Sequence, residues 1–232
     1  KLKAYFVKYI HELTEKRISY LLGKKIKADY QPNKYKYFTN FSDIKSWGRV
    51  FDPYFEEISK EHYNNLISAK KINTSQDALK YYAGYVAESI NTHLRYYEIV
   101  DHEFAFNKEI EILSREINKN SIEENIVVLR LIRIRFLKKN PKKGMILKDK
   151  AFLSTTLNLN HRKNTEGNDL SLTKIGLIFI KIPKGTKALY LETISKKEEF
   201  EILLPQKTEL LIESAHKIWS NQVLFTKLVK CG

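Results

Sequence analysis

The chain reads as an α+β protein, and three features of the sequence predict it. Apolar residues recur at spacings of three and four through the first half. From Ile126 the texture changes to short runs of branched and aromatic residues separated by turns, and no Gly-, Ser- or Pro-rich linker divides the two parts. The economical organisation is one domain over residues 1–232, with a helical lobe over about 1–120 packed on a β core over about 121–232. At 232 residues and 43% hydrophobic content, with 14 Tyr and 12 Phe, the chain has enough apolar surface for a substantial core.

The elements follow in order. Leu2, Phe6, Tyr9, Ile10, Leu13, Ile18 and Leu21 mark one helix face, which the sequence predicts to stop at Gly23. A second helix is expected to start at Ser42, whose hydroxyl can cap it while Asp43 sits in the favourable first turn. Further helices are predicted over about 56–70, 76–97 and 104–119. Strands are predicted at IVVLRLIRIRF, AFLSTTL, IGLIFIKIP, KALYLET, EEFEILLP, TELLIES and NQVLFTKLV, with PKKG, EGND and PKGT as turns between them. Trp47 and Trp219 read most simply as core or lobe-packing residues.

Composition narrows the chemistry. No apolar run approaches the roughly 18–20 residues of a membrane-spanning helix. The single cysteine, Cys231, has no internal partner, and a chain that starts at Lys1 is expected to be a processed or trimmed product. Forty-one Lys and Arg against 27 Asp and Glu give a net charge of +14, which favours acidic partners; the lysines are scattered rather than lined along one helix, so a solvated basic surface is the first reading and no nucleic acid is expected. The six histidines are dispersed and no zinc-binding spacing occurs, so no metal is implied. No nucleophile elbow, P-loop or glycine-rich dinucleotide fingerprint is present.

Three short stretches hold polar groups in unexpected settings. If ENIVVLRLIRIRF is a strand, Arg130 shares a face with Ile126, Val128, Ile132 and Ile134; a guanidinium there must find a carboxylate, carbonyls or phosphate, because an unpaired buried charge costs several kcal/mol. A structural salt bridge would satisfy it equally. In AFLSTTLN, Ser154, Thr155 and Thr156 follow an apolar pair, and Ser154 and Thr156 share one face, where hydroxyls can fix a carboxylate's rotamer or simply line an edge strand. In KKEEFEILLP, Glu199 and Glu201 share a face and should split in pKa, which suits two chemical roles or a solvated strand end.

Taken in order on separate strands, this arginine, these hydroxyls and this glutamate pair resemble the R-S-E clade of mono-ADP-ribosyltransferases. That toxin family includes the iota-type actin-modifying enzymes and the Rho-modifying clostridial exoenzymes. ENIVVLR resembles the strand bearing the family's first arginine, GMILKDKAFLSTTLN its hydroxyl segment and EEFEILLP its E-x-E strand, while FTNFSDIKSWG and INTHLR are similar to two helical-lobe signatures. Together they span residues 38–205.

The resemblance implies an ADP-ribosyltransferase fold, a helical lobe on a two-sheet β core, with NAD as co-substrate in the cleft between them. It implies that Arg130 anchors NAD, that Ser154 positions Glu201, and that Glu201 bonds the nicotinamide-ribose hydroxyl and stabilises the oxocarbenium ion as nicotinamide leaves. Glu199 would orient and help deprotonate the acceptor; a glutamate at this position accompanies arginine acceptors in the family, whereas glutamine accompanies asparagine. Asn91 and Arg95, four apart on one helix side, would contact the dinucleotide together with Leu131, Thr155 and Thr156. Thr39 and Asn40 match more loosely and serve equally as helix caps.

Four departures stand out. Leu131 follows the arginine where the family has Gly, Thr156 replaces the second serine, and Lys196 stands where an aromatic often engages the protein substrate. NHRKNTEGNDLSLTK lacks the phenylalanine that packs on nicotinamide, leaving His161 or Arg162 as substitutes. The expectation is therefore a secreted, monomeric toxin enzyme acting in the host-cell cytosol, transferring ADP-ribose from NAD to an arginine of a host protein, with accompanying NAD glycohydrolase activity. A chiefly hydrolytic enzyme, or a basic nucleic-acid or anionic-surface binding module on the same fold, are the competing readings.

Overall fold

The structure is a computed structural model that describes residues 2–29, 34–59, 74–96, 104–134, 137, 140–160 and 175–232. Helices come first: α1 (Leu2–Asp29), α2 (Phe41–Gly48), a 3-10 turn (Arg49–Phe51), α3 (Asp52–Ile58), α4 (Ser75–Tyr81), a π-helical turn (Tyr82–Val86), α5 (Ala87–Tyr96) and α6 (Asn107–Lys119). Strands follow: β1 (Ile126–Arg133), β2 (Ile146–Asp149), β3 (Leu153–Thr156), β4 (Ile175–Ile182), β5 (Leu189–Tyr190), then the short α7 (Glu192–Ser195), β6 (Glu201–Leu204), β7 (Thr208–Ile218) and β8 (Asn221–Lys230). No helix among the described residues is long and apolar enough to cross a membrane.

The eight strands run in the order β2-β7-β8-β4-β1-β3-β6-β5. The link between β1 and β3 is a single pair, Leu129 opposite Thr156, whereas β1 and β4 pair along eight positions. One continuous sheet therefore consists of a five-stranded and a three-stranded leaf joined through that single registered pair. In place of the two expected sheets, the strands form one sheet that narrows at this junction, because β3 still pairs with β1 at Leu129, and the site lies beside it.

Both faces of the larger leaf are covered. Ile126 and Val128 of β1 join Ile44, Phe55, Leu79, Ile90, Leu113 and Ile117 of the helices in one core. On the reverse face Val127, Leu129, Leu177, Phe179 and Phe225 pack with Ile18, Leu21 and Leu22 of α1. This second contact carries α1 through Gly23, contrary to the expected stop: a helical glycine costs about 1 kcal/mol, which anchoring by Leu21, Leu22 and Ile26 offsets.

Local details depart from the sequence reading in four other places. Helix α2 is capped by Asn40, whose side-chain oxygen accepts from the Asp43 N–H at 2.9 Å, so Ser42 lies inside the helix rather than before it. The helix expected over 76–97 is interrupted by the π-helical turn. Residues 192–195 of the strand expected at KALYLET form α7 instead. Trp219 is not packed inside but is 57% exposed at the β7–β8 turn, with φ 55°. Trp47 does pack, edge-on to Phe38 and Tyr190. Most of the helix expected over 56–70, and His161 and Arg162, lie outside the described residues.

Candidate active site

Arg130 sits on β1 one residue after the Leu129–Thr156 pair, on the face of Ile126 and Val128, and its side chain is 16% exposed. Its Nη1 donates to the Ser154 carbonyl at 2.7 Å, where the β1–β3 ladder has already ended. Its Nη2 lies 3.6 Å from Asp149 Oδ2. The same carboxylate receives both arms of Arg95 from α5, at 2.9 and 3.0 Å, and accepts from the Ala151 N–H at 3.0 Å. Asp149 thus fixes two guanidinium groups, one from each lobe, on one wall. Burial lowers the Arg130 pKa and Asp149 opposes that effect; a guanidinium remains charged throughout.

That wall belongs to a cleft of about 760 Å³ lined by Asn91, Arg95, Arg130, Leu131, Asp149 and Ser154 among others. Asn91 donates to the Tyr82 hydroxyl at 2.9 Å, while its own buried Oδ1 has no hydrogen-bond partner. An orphaned acceptor in a cleft is a place for a ligand donor, since leaving it unpaired costs about 1–3 kcal/mol. Burial keeps the Tyr82 phenol far above its ordinary pKa and hence neutral.

A second cavity of about 280 Å³ adjoins the first, sharing Arg130, Leu131 and Ser154 and adding Leu129, Thr155, Thr156, Glu199 and Glu201. The nine residues that the sequence singled out therefore line two connected spaces. The three hydroxyls all engage the segment that carries the glutamates. Thr155 donates to the Ile202 carbonyl at 2.8 Å and Thr156 donates to the Glu199 carbonyl, while Ser154 lies close enough to the Glu201 carboxylate to lower its pKa. Pairing of Thr156 with Glu201 across β3 and β6 sets this register.

Glu201 is 8% exposed, and its electrostatics are divided. Burial pushes its pKa up, Ser154 pulls it down, Glu199 pushes it up, and Lys197 and Arg130 pull it down. A carboxylate held in this way can face a developing cation in a dry pocket, where fixed charge is strongest.

Glu199 reaches the site by another route than strand alternation. Strand β6 begins only at Glu201, and Lys196, Glu198 and Phe200 before it all adopt left-handed backbone (φ 52°, 56° and 50°). The exposed Glu199 is presented by a strained loop rather than by a strand face. The loop is held by Glu192, whose two carboxylate oxygens accept from the Glu198 N–H at 2.8 Å and the Phe200 N–H at 2.9 Å. Lys197 Nζ also donates to the Ala83 carbonyl at 2.7 Å.

Asp149, Tyr82, Glu192 and Lys197 did not emerge from the sequence reading. Asp149 left a trace: a guanidinium on an apolar face requires a carboxylate, and Asp149 lies in the hydroxyl segment itself. Thr39 and Asn40 lie at the start of α2, where Asn40 serves as a cap. Among the described residues, no group of three or more His, Cys, Asp or Glu side chains is arranged to hold a metal ion.

The fold is shared with solved ADP-ribosyltransferase toxins. Plx2a, an ADP-ribosyltransferase toxin from Paenibacillus larvae, superposes with a TM-score of 0.62 at 21% identity, over 82% of this chain and 96% of that one. The Clostridium limosum C3 exoenzyme gives 0.58 at 21% identity over 85% and 98%. C3stau2 from S. aureus, solved with NAD, gives 0.60 at 17% identity over 84% and 99%. The model of the ADP-ribosyltransferase exoenzyme family matches residues 54–229, and the chain belongs to that family. No curated protein matches it.

Proposed function

We propose that this protein is a secreted toxin that transfers ADP-ribose from NAD to an arginine of a host protein inside the host cell, acting as a monomer and hydrolysing NAD when no acceptor is present. The observation that carries this reading is that Arg130, Ser154, Glu199 and Glu201, from three separate stretches of the chain, line one cavity. The cleft volume, its guanidinium groups and the orphaned Asn91 acceptor fit a dinucleotide whose pyrophosphate is anionic and whose bases carry donors.

In this reading Arg130 and Arg95 hold the pyrophosphate side of NAD, with Asn91 completing the cleft wall. Leu131, Thr155 and Thr156 border the nicotinamide side. Glu201 accepts from the nicotinamide-ribose hydroxyl. The glycosidic C–N bond breaks with its electron pair leaving on neutral nicotinamide, and the positive charge left on the ribose faces the Glu201 carboxylate. Glu199 receives the proton as an arginine nitrogen bonds to the ribose C1. A carboxylate is a natural partner for guanidinium, which favours arginine as the acceptor.

Incubation with labelled NAD and host-cell lysate tests this. Wild-type protein should label lysate proteins on arginine, as read by mass spectrometry. Glu199→Gln should lose that label while retaining NAD hydrolysis. Label on another residue type, or undiminished arginine label with Glu199→Gln, would overturn the acceptor assignment.

A further inference from the structure

The π-helical turn at Tyr82–Val86 has one face in the site and another outside it. In an α-helix, residues three apart share a side. Here the wider turn sends Tyr82 inward, 1% exposed and bonded to Asn91, while Tyr85 points out at 84% exposure, the highest of any exposed large hydrophobic among the described residues. Such turns recur at functional sites because they re-aim side chains.

The outward side of this turn is tied to the glutamate loop. Lys197 of the loop donates to the Ala83 carbonyl inside the turn. On the other flank Phe41, half-exposed at the start of α2, stacks on Phe200 at 5.3 Å, next to Glu201 in sequence. Two solvent-facing aromatics are thereby joined through the loop that presents Glu199. Cations accompany them: Lys196 and Lys197 are exposed on the loop, and Lys45 of α2 lies 3.5 Å from Glu198.

We infer that Tyr85, Phe41, Lys45 and Lys196 form the surface on which the acceptor protein docks, and that they select an acceptor residue flanked by an apolar side chain and carboxylates. This rests on the proposed transferase activity. Aromatic anchors supply contact area at low entropic cost, and the lysines complement acidic neighbours of the acceptor while Glu199 meets the acceptor's own positive charge.

The test uses three acceptors: agmatine, a peptide with one arginine between a phenylalanine and two aspartates, and the same peptide with lysines replacing the aspartates. Wild-type protein should show a KM for the acidic peptide lower than for the basic one by roughly fivefold or more, the size expected from one or two exposed charge contacts. Lys196→Glu should remove that preference and Tyr85→Ser should raise KM for both peptides by a similar factor, each while leaving agmatine modification and NAD hydrolysis unchanged. Peptide binding followed by fluorescence anisotropy without NAD should show the same ranking, independently of turnover. Equal KM and equal binding for both peptides, full preference in Lys196→Glu, or unchanged KM for both peptides in Tyr85→Ser would overturn the docking surface. Peptide preference in binding without any NAD turnover would leave the surface standing and refute the transferase reading instead.

Discussion

The Glu192 carboxylate should decide whether the glutamate loop keeps its shape. Three consecutive-but-one residues, Lys196, Glu198 and Phe200, hold left-handed backbone without being glycine. Each such residue costs about 1–2 kcal/mol, so the loop stores about 3–6 kcal/mol. Opposing this are two hydrogen bonds to a charged acceptor, at 2.8 and 2.9 Å, each worth about 1.5–3 kcal/mol. The two sums nearly cancel, so the Glu192 bonds offset the cost of the left-handed backbone, while Thr156, Lys197 and Phe41 hold the loop at other points. Glu192→Ala should release it; because released strain accompanies the lost bonds, the net loss of global stability should be only about 1–2 kcal/mol, a fall of ~2–8 °C in Tm for a chain of this size. Amide hydrogen exchange reads the local effect directly. The Glu198 and Phe200 N–H groups should lose at least about tenfold protection, the equivalent of ~1.4 kcal/mol, while β8 amides keep theirs. Glu192→Gln, which retains one acceptor oxygen, should fall between. Unchanged protection at both amides in Glu192→Ala would refute the clamp.

Two further outcomes follow from buried positions. Glu109 is fully buried on α6, its carboxylate oxygens have no hydrogen-bond partner, and burial raises its pKa. The folded state then keeps this proton to higher pH than the unfolded state, so stability falls as pH rises through the window between the ordinary and the raised value, and the penalty is complete above it. Glu109→Gln should raise stability at pH 7.5 by about 1 kcal/mol, or ~2–4 °C in Tm, and change little below pH 4; an equal gain at both pH values would contradict the linkage. At Gly48, a Cβ would land inside the Tyr190 ring, so this close approach of α2 to β5 requires glycine at 48. Gly48→Ala should cost about 1–3 kcal/mol in denaturant unfolding, and a neutral result would contradict that packing.

The sequence made the main division legible because periodicity changes where the chain changes from helix to sheet. Strand β1 could be placed from its apolar run, and Arg130 stood out on it because a lone charge among Ile and Val demands an explanation. Register was harder to see. Alternation put Glu199 and Glu201 on one strand face, but the strand starts at Glu201 and the earlier glutamate arrives through left-handed backbone that no apolar pattern announces. Asn40, not Ser42, caps α2, because both are good caps and only the backbone before the helix decides between them. Asp149 and Glu192 were hidden for a related reason. Each acts on residues brought near by sheet pairing or by a turn, and the identity of such a partner is a tertiary fact.

The partition between binding and turnover in Glu201→Gln tests the site most directly. That substitution keeps the shape and a hydrogen-bond acceptor for Ser154 but removes the charge that faces the ribose. NAD affinity measured by calorimetry should stay within about threefold, while NAD hydrolysis falls about 10²–10³-fold, the usual loss when one preorganised charge is removed from a reacting centre. Hydrolysis at the wild-type rate with intact binding would contradict the role given to Glu201.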